Sequence, residues 1–215
     1  DVIEAGSAIV SASKFSQIVR VMDGGDITLT IDDRNCATII SGRSSHTMTA
    51  LPAKDFPEIP RLTSQSGFVA SQKTLKEMIS KCMFAIGVND QRPVLNGCYF
   101  RVVEDNLLLV SCDSFRLAKC AVSTDMQNIN QAGSPMKFSF IMPVKTVNEL
   151  HRMLTDDEQE DIRLYMTSKN IMMKLGDLSF FSCLIHGEYI DYERSIAANH
   201  KLNITLERDA QLSAL

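Results

Sequence analysis

The chain has 215 residues, 45% of them hydrophobic and 22% charged, with a net charge of −4 at pH 7. This is globular composition, enough for one large domain or two small ones, and its apolar runs fall far short of the ~18 residues that suggest a membrane span. The acidic balance argues against a simple nucleic-acid coat and leaves room for one basic face. No secretory leader is visible at the N-terminus, which begins at Asp1. In chain order, the first predicted elements are a short apolar strand and a helix within residues 8–22 (AIVSASKFSQIVRVM). Phe15, Ile18 and Met22 share one helix face, and Ser11 stands at the entry, where a cap suits a helix start. Strands are predicted over Ile27–Ile31, Cys36–Ile40 and Ser45–Leu51, the first two separated by the turn Asp32-Asp33-Arg34-Asn35. Residues 52–66 (PAKDFPEIPRLTSQS) carry three prolines and read as a linker.

The same strand and helix opening recurs at residues 68–82 (FVASQKTLKEMISKC), with Leu75, Met78 and Cys82 on the apolar face and Ser71 at the entry. Strands are predicted over Gly97–Val103, Asn106–Ser111 and Arg116–Val122. A third copy starts at 140–154 (FIMPVKTVNELHRML), with Val147, Leu150 and Leu154 on the face and Pro143 at the entry. Strands over Ile162–Met166, Asn170–Lys174 and Leu178–Ile185 follow it. Residues 188–203 read as a second linker, and a fourth copy begins at Ile204-Thr205-Leu206, with Leu212 and Leu215 in register. A unit of strand, helix and about three strands therefore repeats. The class is α+β, with antiparallel sheets and helices on one face. The predicted division is an incomplete first domain at 1–60, a complete middle domain of two units at 67–192 and the start of a third at 200–215.

The polar faces of the three helices carry Lys14, Arg20, Lys73, Lys76, Lys81, Lys145 and Arg152 against Glu77 and Glu149. Acidic residues concentrate elsewhere, in residues 155–161 (TDDEQED). A charged helix face is ordinarily just solvated. The same bias on three helices of an acidic chain also suits a polyanion, because basic groups facing a duplex gain by counterion release without reading sequence. The six cysteines (Cys36, Cys82, Cys98, Cys112, Cys120 and Cys183) form no CxxC pair, which predicts buried free thiols in a reducing cytoplasm. His46, His151, His186 and His200 are scattered, so neither a metal nor a cofactor is expected. Asp113-Ser114, His151 and His186 belong to no nucleophile, phosphate-loop or paired-carboxylate motif, so the chain does not read as an enzyme. One connection is oddly furnished: CDSFRLA (112–118) sets Phe115 beside Arg116 between two strands. By alternation Phe115 starts the next strand and fills the core, with Arg116 outside. The other reading exposes both for binding.

The order of units, together with LPAKDFPEIP, NGCYF, CDSFRLA and GEYIDYERSI, resembles the bacterial sliding clamp family, the beta subunits of DNA polymerase III, over essentially the whole chain. Against that family the chain starts midway through the first domain and ends shortly after the third begins. The resemblance implies a head-to-tail homodimeric ring, with sheets outside and helices lining a hole for double-stranded DNA. Such a ring tethers the replicative polymerase for processive synthesis and has no catalytic activity. It implies DNA-facing roles for Arg20, Lys73, Lys76, Lys81, Lys145 and Arg152, with Asn89 and Arg92 at the rim; Pro93 and Val94 stand where some relatives carry aromatics. It also implies a groove for short linear peptides from polymerases, the clamp loader and repair proteins, formed by Leu95, Cys112, Ser114, Phe115, Arg116, Leu117, Ile190, Arg194 and Ser195. Leu95, Leu117 and Ile190 would be walls, Phe115 a flat face, and Arg116 and Arg194 holders of carbonyls or an acidic residue. Many relatives have His, Pro and an apolar residue at the positions of Phe115, Ile190 and Ser195, which points to a different preferred peptide. Arg43 and Ser45, near the last strand of the first domain, would lie at the protomer interface. The rival reading is a peptide-binding scaffold that does not encircle DNA.

Overall fold

The computed structural model describes residues 6–22, 24–56, 66–130, 134–196 and 201–214. They fall into two compact units, Asp1–Arg61 and Leu62–Leu215. In the first, β1 (Ala8–Ile9) leads into α1 (Ala12–Val21), followed by β2 (Thr28–Ile31), β3 (Cys36–Ser41), β4 (Ser44–Thr49) and β5 (Leu51–Pro52). β2, β3 and β4 form an antiparallel meander, and β1 pairs with β5. The strand expected over Ser45–Leu51 is thus two strands, because after Thr49 the chain leaves the meander and Leu51 pairs back with Ile9. Alternation along β3 buries Ala37 and Ile39, and Phe15 and Ile18 of α1, with Met22 just after it, pack half-buried on the small cluster they make with Met48 and Ala50.

The second unit contains two further copies. The first runs β6 (Gly67–Ser71), α2 (Gln72–Cys82), β7 (Gly97–Val103), β8 (Asn106–Cys112), β9 (Leu117–Ser123) and β10 (Gln127–Asn128). The second runs β11 (Lys137–Pro143), α3 (Val144–Met153), β12 (Asp161–Met166), β13 (Asn170–Leu175) and β14 (Leu178–Cys183). Ser71 caps α2, its Oγ accepting from the Thr74 N–H at 3.4 Å, and Pro143 immediately precedes α3. The leading strands are exchanged between copies: the sheet orders are β10-β6-β12-β13-β14 and β11-β7-β8-β9. Each copy's meander is therefore completed by the other copy's first strand. Leu75, Met78, Ile79 and Cys82 of α2 and Val147 and Leu150 of α3 fill one core with Phe100, Leu107, Leu109, Ile162, Leu164 and Ile171. Phe100 and Phe140 stack within it at 5.0 Å between ring centroids.

Three equivalent turns close the meanders. Gly42-Arg43 joins β3 to β4 and Gly176-Asp177 joins β13 to β14. Gly42 and Gly176 have φ of +55° and +54°, the left-handed conformation that a two-residue hairpin turn demands at its first position. The turn between β8 and β9 is longer, spanning Asp113 to Arg116. The predicted fourth copy is different: Ile204 to Leu206 form no strand, and only a short helix follows, α4 (Arg208–Ser213), with Leu212 exposed. Leu215 lies outside the described residues, as do 57–65 and 197–200 within the two predicted linkers. Among the described residues no helix is long and apolar enough to cross a membrane.

Candidate functional site

The long β8–β9 turn is organised by Asp113. Its Oδ1 accepts from the backbone N–H of Phe115 (3.1 Å) and of Arg116 (3.0 Å), and its Oδ2 accepts from Arg116 Nε at 2.9 Å. The Asp113 N–H donates in turn to the Arg116 carbonyl at 3.2 Å. The backbone N–H of Arg116 is the first cause holding the Asp113 carboxyl below its ordinary range. This capture delays the ladder, so β9 starts at Leu117 rather than at Arg116. Ser114 is left at φ +74°, uncommon for a residue with a side chain. Phe115, at the tip, is 97% exposed, which overturns the core-filling reading of its alternation. The Arg116 guanidinium lies over the Phe84 ring, 5.5 Å from its centroid.

A second wall comes from residues 87–96. The Gly87 N–H donates to the Leu95 carbonyl (2.9 Å), and Asn96 holds Asp90 through both backbone groups, at 2.8 and 2.9 Å. Arg92 bonds Asp90 Oδ1 through Nε (3.2 Å) and its backbone N–H (2.8 Å), and its Nη2 donates to Ser114 Oγ, joining this loop to the long turn. The Arg92 side-chain bond is the main reason the Asp90 carboxyl sits low. The third wall follows β14. There Tyr192 is buried beside Tyr99 (6.4 Å) under Lys119, and Tyr189 stacks on Tyr99 at 5.1 Å. These rings pin the segment that carries Ile190 and Ser195.

The walls enclose an open cleft of about 470 Å³. Cys112, Ser114, Phe115, Arg116, Leu117, Ile190 and Ser195 line it, all of them expected, and Arg92 joins them. Leu95 does not: it is wholly buried. Arg194 also stands apart, its side chain 87% exposed and bonded to Asp191 at 2.8 Å. Every guanidinium of the region carries a carboxylate from its own segment: Arg92 with Asp90, Arg116 with Asp113, Arg194 with Asp191. The expected pull on an acidic peptide residue is therefore balanced locally.

The basic helix faces are also less free than their sequence implies. Lys73 bonds Glu158, and Lys76 Nζ lies 2.7 Å from Asp156 Oδ2. The bond to Glu158 raises Lys73 above the ordinary lysine value and lowers Glu158. Arg152 pairs with Glu149 at 2.8 Å. The acidic run 155–161, expected away from the basic faces, lies against one of them. Arg20, Lys81, Lys145 and Asn89 are exposed, Asn89 in a left-handed turn at φ +57°. Among the described residues no group of three or more His, Cys, Asp or Glu is placed to hold a metal ion.

Residues 69–191 match the DNA polymerase III beta subunit, central domain, and residues 2–60 match its N-terminal domain. The chain belongs to the DNA polymerase III beta subunit family. It is 27% identical over 207 residues to the beta sliding clamp of Staphylococcus aureus (strain Mu50 / ATCC 700699), covering 96% of this chain and 53% of that one. The solved DNA polymerase III subunit beta of Pseudomonas aeruginosa is 28% identical with a TM-score of 0.79, over 94% of this chain and 53% of that one. Another P. aeruginosa sliding clamp, solved bound to griselimycin, is 29% identical with a TM-score of 0.77 over the same shares. The chain thus spans about half the length of these beta subunit relatives.

Arg43 and Ser45 are exposed at the β3–β4 turn and on β4, which pairs only with β3 among the described residues. Sequence reasoning missed the organising role of Asp113, although an Asp two residues before the side chains it turns outward is a readable Asx-turn signal. It also missed the aromatic footing under Ile190, which depends on Tyr99, some 90 positions earlier in the chain.

Proposed function

We propose that this chain is part of a sliding clamp that encircles duplex DNA as a homodimeric ring and tethers the replicative polymerase, and that the cleft at the β8–β9 turn receives short peptides of polymerases, clamp loader and repair proteins. The observation that carries the peptide role is the turn itself: two residues in two copies, four in the third, with Phe115 and Arg116 set on the lip of a cleft. In this reading Leu117 and Ile190 are apolar walls, Phe115 covers a peptide side chain, and the arginines orient peptide carbonyls. The similarity to the S. aureus beta sliding clamp and to the P. aeruginosa sliding clamp solved with griselimycin supports it. Residues 1–60, 67–192 and 200–215 then belong to three successive clamp domains, Arg43 and Ser45 face a partner protomer, and Arg20, Lys81 and Lys145 face DNA. The protein works in the cytoplasm by topology, without a chemical step.

Calorimetric titration of griselimycin and of a polymerase C-terminal peptide into the complete protein tests the cleft. Binding should fall about tenfold in Phe115→Ala, which removes the aromatic that would cover a bound side chain. Equal affinity of wild type and variant removes the assignment. For the ring, protein loaded on nicked circular DNA should stay until the circle is cut. The pairing of Lys73 and Lys76 with acids favours one second reading, a peptide-binding scaffold without DNA. Peptide binding without retention on the circle would select it.

A further inference from the structure

Gln72, the first residue of α2, is 3% exposed, a buried polar side chain among a core of hydrophobic ones. Its Oε1 accepts from the Thr155 N–H at 3.2 Å and its Nε2 donates to the Asp161 carbonyl at 3.1 Å. Its own backbone N–H donates to the Glu160 carbonyl at 2.9 Å. One residue thus grips both ends of the acidic loop between α3 and β12. Within the loop, Asp157 Oδ1 accepts from the Gln159 N–H at 2.9 Å, which keeps it folded. Held this way, the loop presents Glu158 to Lys73 and Asp156 to Lys76, two lysines three positions apart on one face of α2.

We propose that Gln72 is a positioning residue that fixes an acidic internal competitor on the DNA-facing side of α2. The inference rests on the clamp reading above. Asp156 and Glu158 occupy the two lysines that phosphates would otherwise take, so α2 grips DNA weakly and a ring can slide. Exposed ion pairs are weak and salt-screened, so passing phosphates can displace them transiently. The competitor sets the strength of a contact that remains available.

The test measures binding of the complete protein to a short duplex across a salt series. The variant Asp156→Asn with Glu158→Gln frees the lysines. The variant Glu160→Gln with Asp177→Asn removes the same charge from exposed side chains that form no ion pair among the described residues. Freeing two lysines should tighten binding several-fold near 0.1 M salt and steepen the log–log salt slope by up to about two, at roughly 0.9 per phosphate neutralised. The control should change both much less. Gln72→Met, which removes both side-chain bonds to the loop and keeps the backbone one, should shift the slope in the same direction with the thermal transition still cooperative. Equal effects in the two double variants, or no change in the first, overturn the inference while leaving the clamp reading in place. Absence of duplex binding in wild type and variants alike overturns both.

Discussion

Asp113 sets the shape of the long hairpin loop: one carboxylate captures two backbone amides and one guanidinium, and the aromatic between them is left in solvent. The carboxyl lies below its ordinary value of 3.8, so it favours the folded turn. That contribution is full above the ordinary value and is lost as pH falls through the lower, folded one. Griselimycin affinity should therefore be level from pH 7 to 5 and should drop only below about pH 4; a drop centred near pH 6 would implicate a histidine instead. Phe115→Ala, at a side chain 97% exposed, should leave stability within about 0.5 kcal/mol while weakening the ligand. The cysteines give a second prediction at this scale. Burial pushes the Cys82 and Cys98 thiols up to about 12, whereas Cys183 is exposed. Iodoacetamide at pH 8 should label Cys183 first and reach Cys82 and Cys98 only with unfolding, as peptide mass spectrometry would report.

The first three helices were legible in the sequence because each packs one face on its sheet, and the stripe Leu75, Met78, Cys82 is the buried stripe of α2. Strand alternation was legible for the same reason. The exchange of leading strands was not, since β6 pairs with β12 across a separation that no local pattern encodes. Nor was the acidic loop on α2: Asp156 and Glu158 lie 80 and 85 residues from their lysines, so a reading by segment placed the charges apart. Of the cleft, the turn residues stand together in the sequence, whereas the burial of Leu95 was not legible, because an apolar residue has the same letter whether it faces a cleft or fills a core. The exchange has a consequence for stability. Each copy in the second unit lacks a complete sheet without the other, so the two should unfold together. Phe100→Ala should cost about 3–5 kcal/mol. Hydrogen exchange should show amides of β7–β9 and β12–β14 losing protection by the same amount, whereas loss confined to β7–β9 would mean the copies are separable.

At the scale of the chain, the proposed function would have an acidic molecule meet a polyanion and a peptide on different terms. Net charge is −4, so long-range attraction to DNA has to come from local excess at exposed cations such as Arg20, Lys81 and Lys145. At the cleft, Arg92 and Arg116 are paired with Asp90 and Asp113 of their own segments, and little net charge is left to attract a ligand. The two proposed contacts should then differ in salt response. Duplex affinity should fall steeply with salt, by close to one power of concentration for each phosphate neutralised. Peptide affinity should change less than about threefold between 0.05 and 0.5 M salt, because apolar burial dominates and the cleft arginines are neutralised by their own aspartates. Parallel titrations of the complete protein with a short duplex and with the polymerase peptide measure both slopes. A peptide slope as steep as the duplex slope would mean that the aspartates do not neutralise Arg92 and Arg116, and that the cleft selects acidic ligands after all.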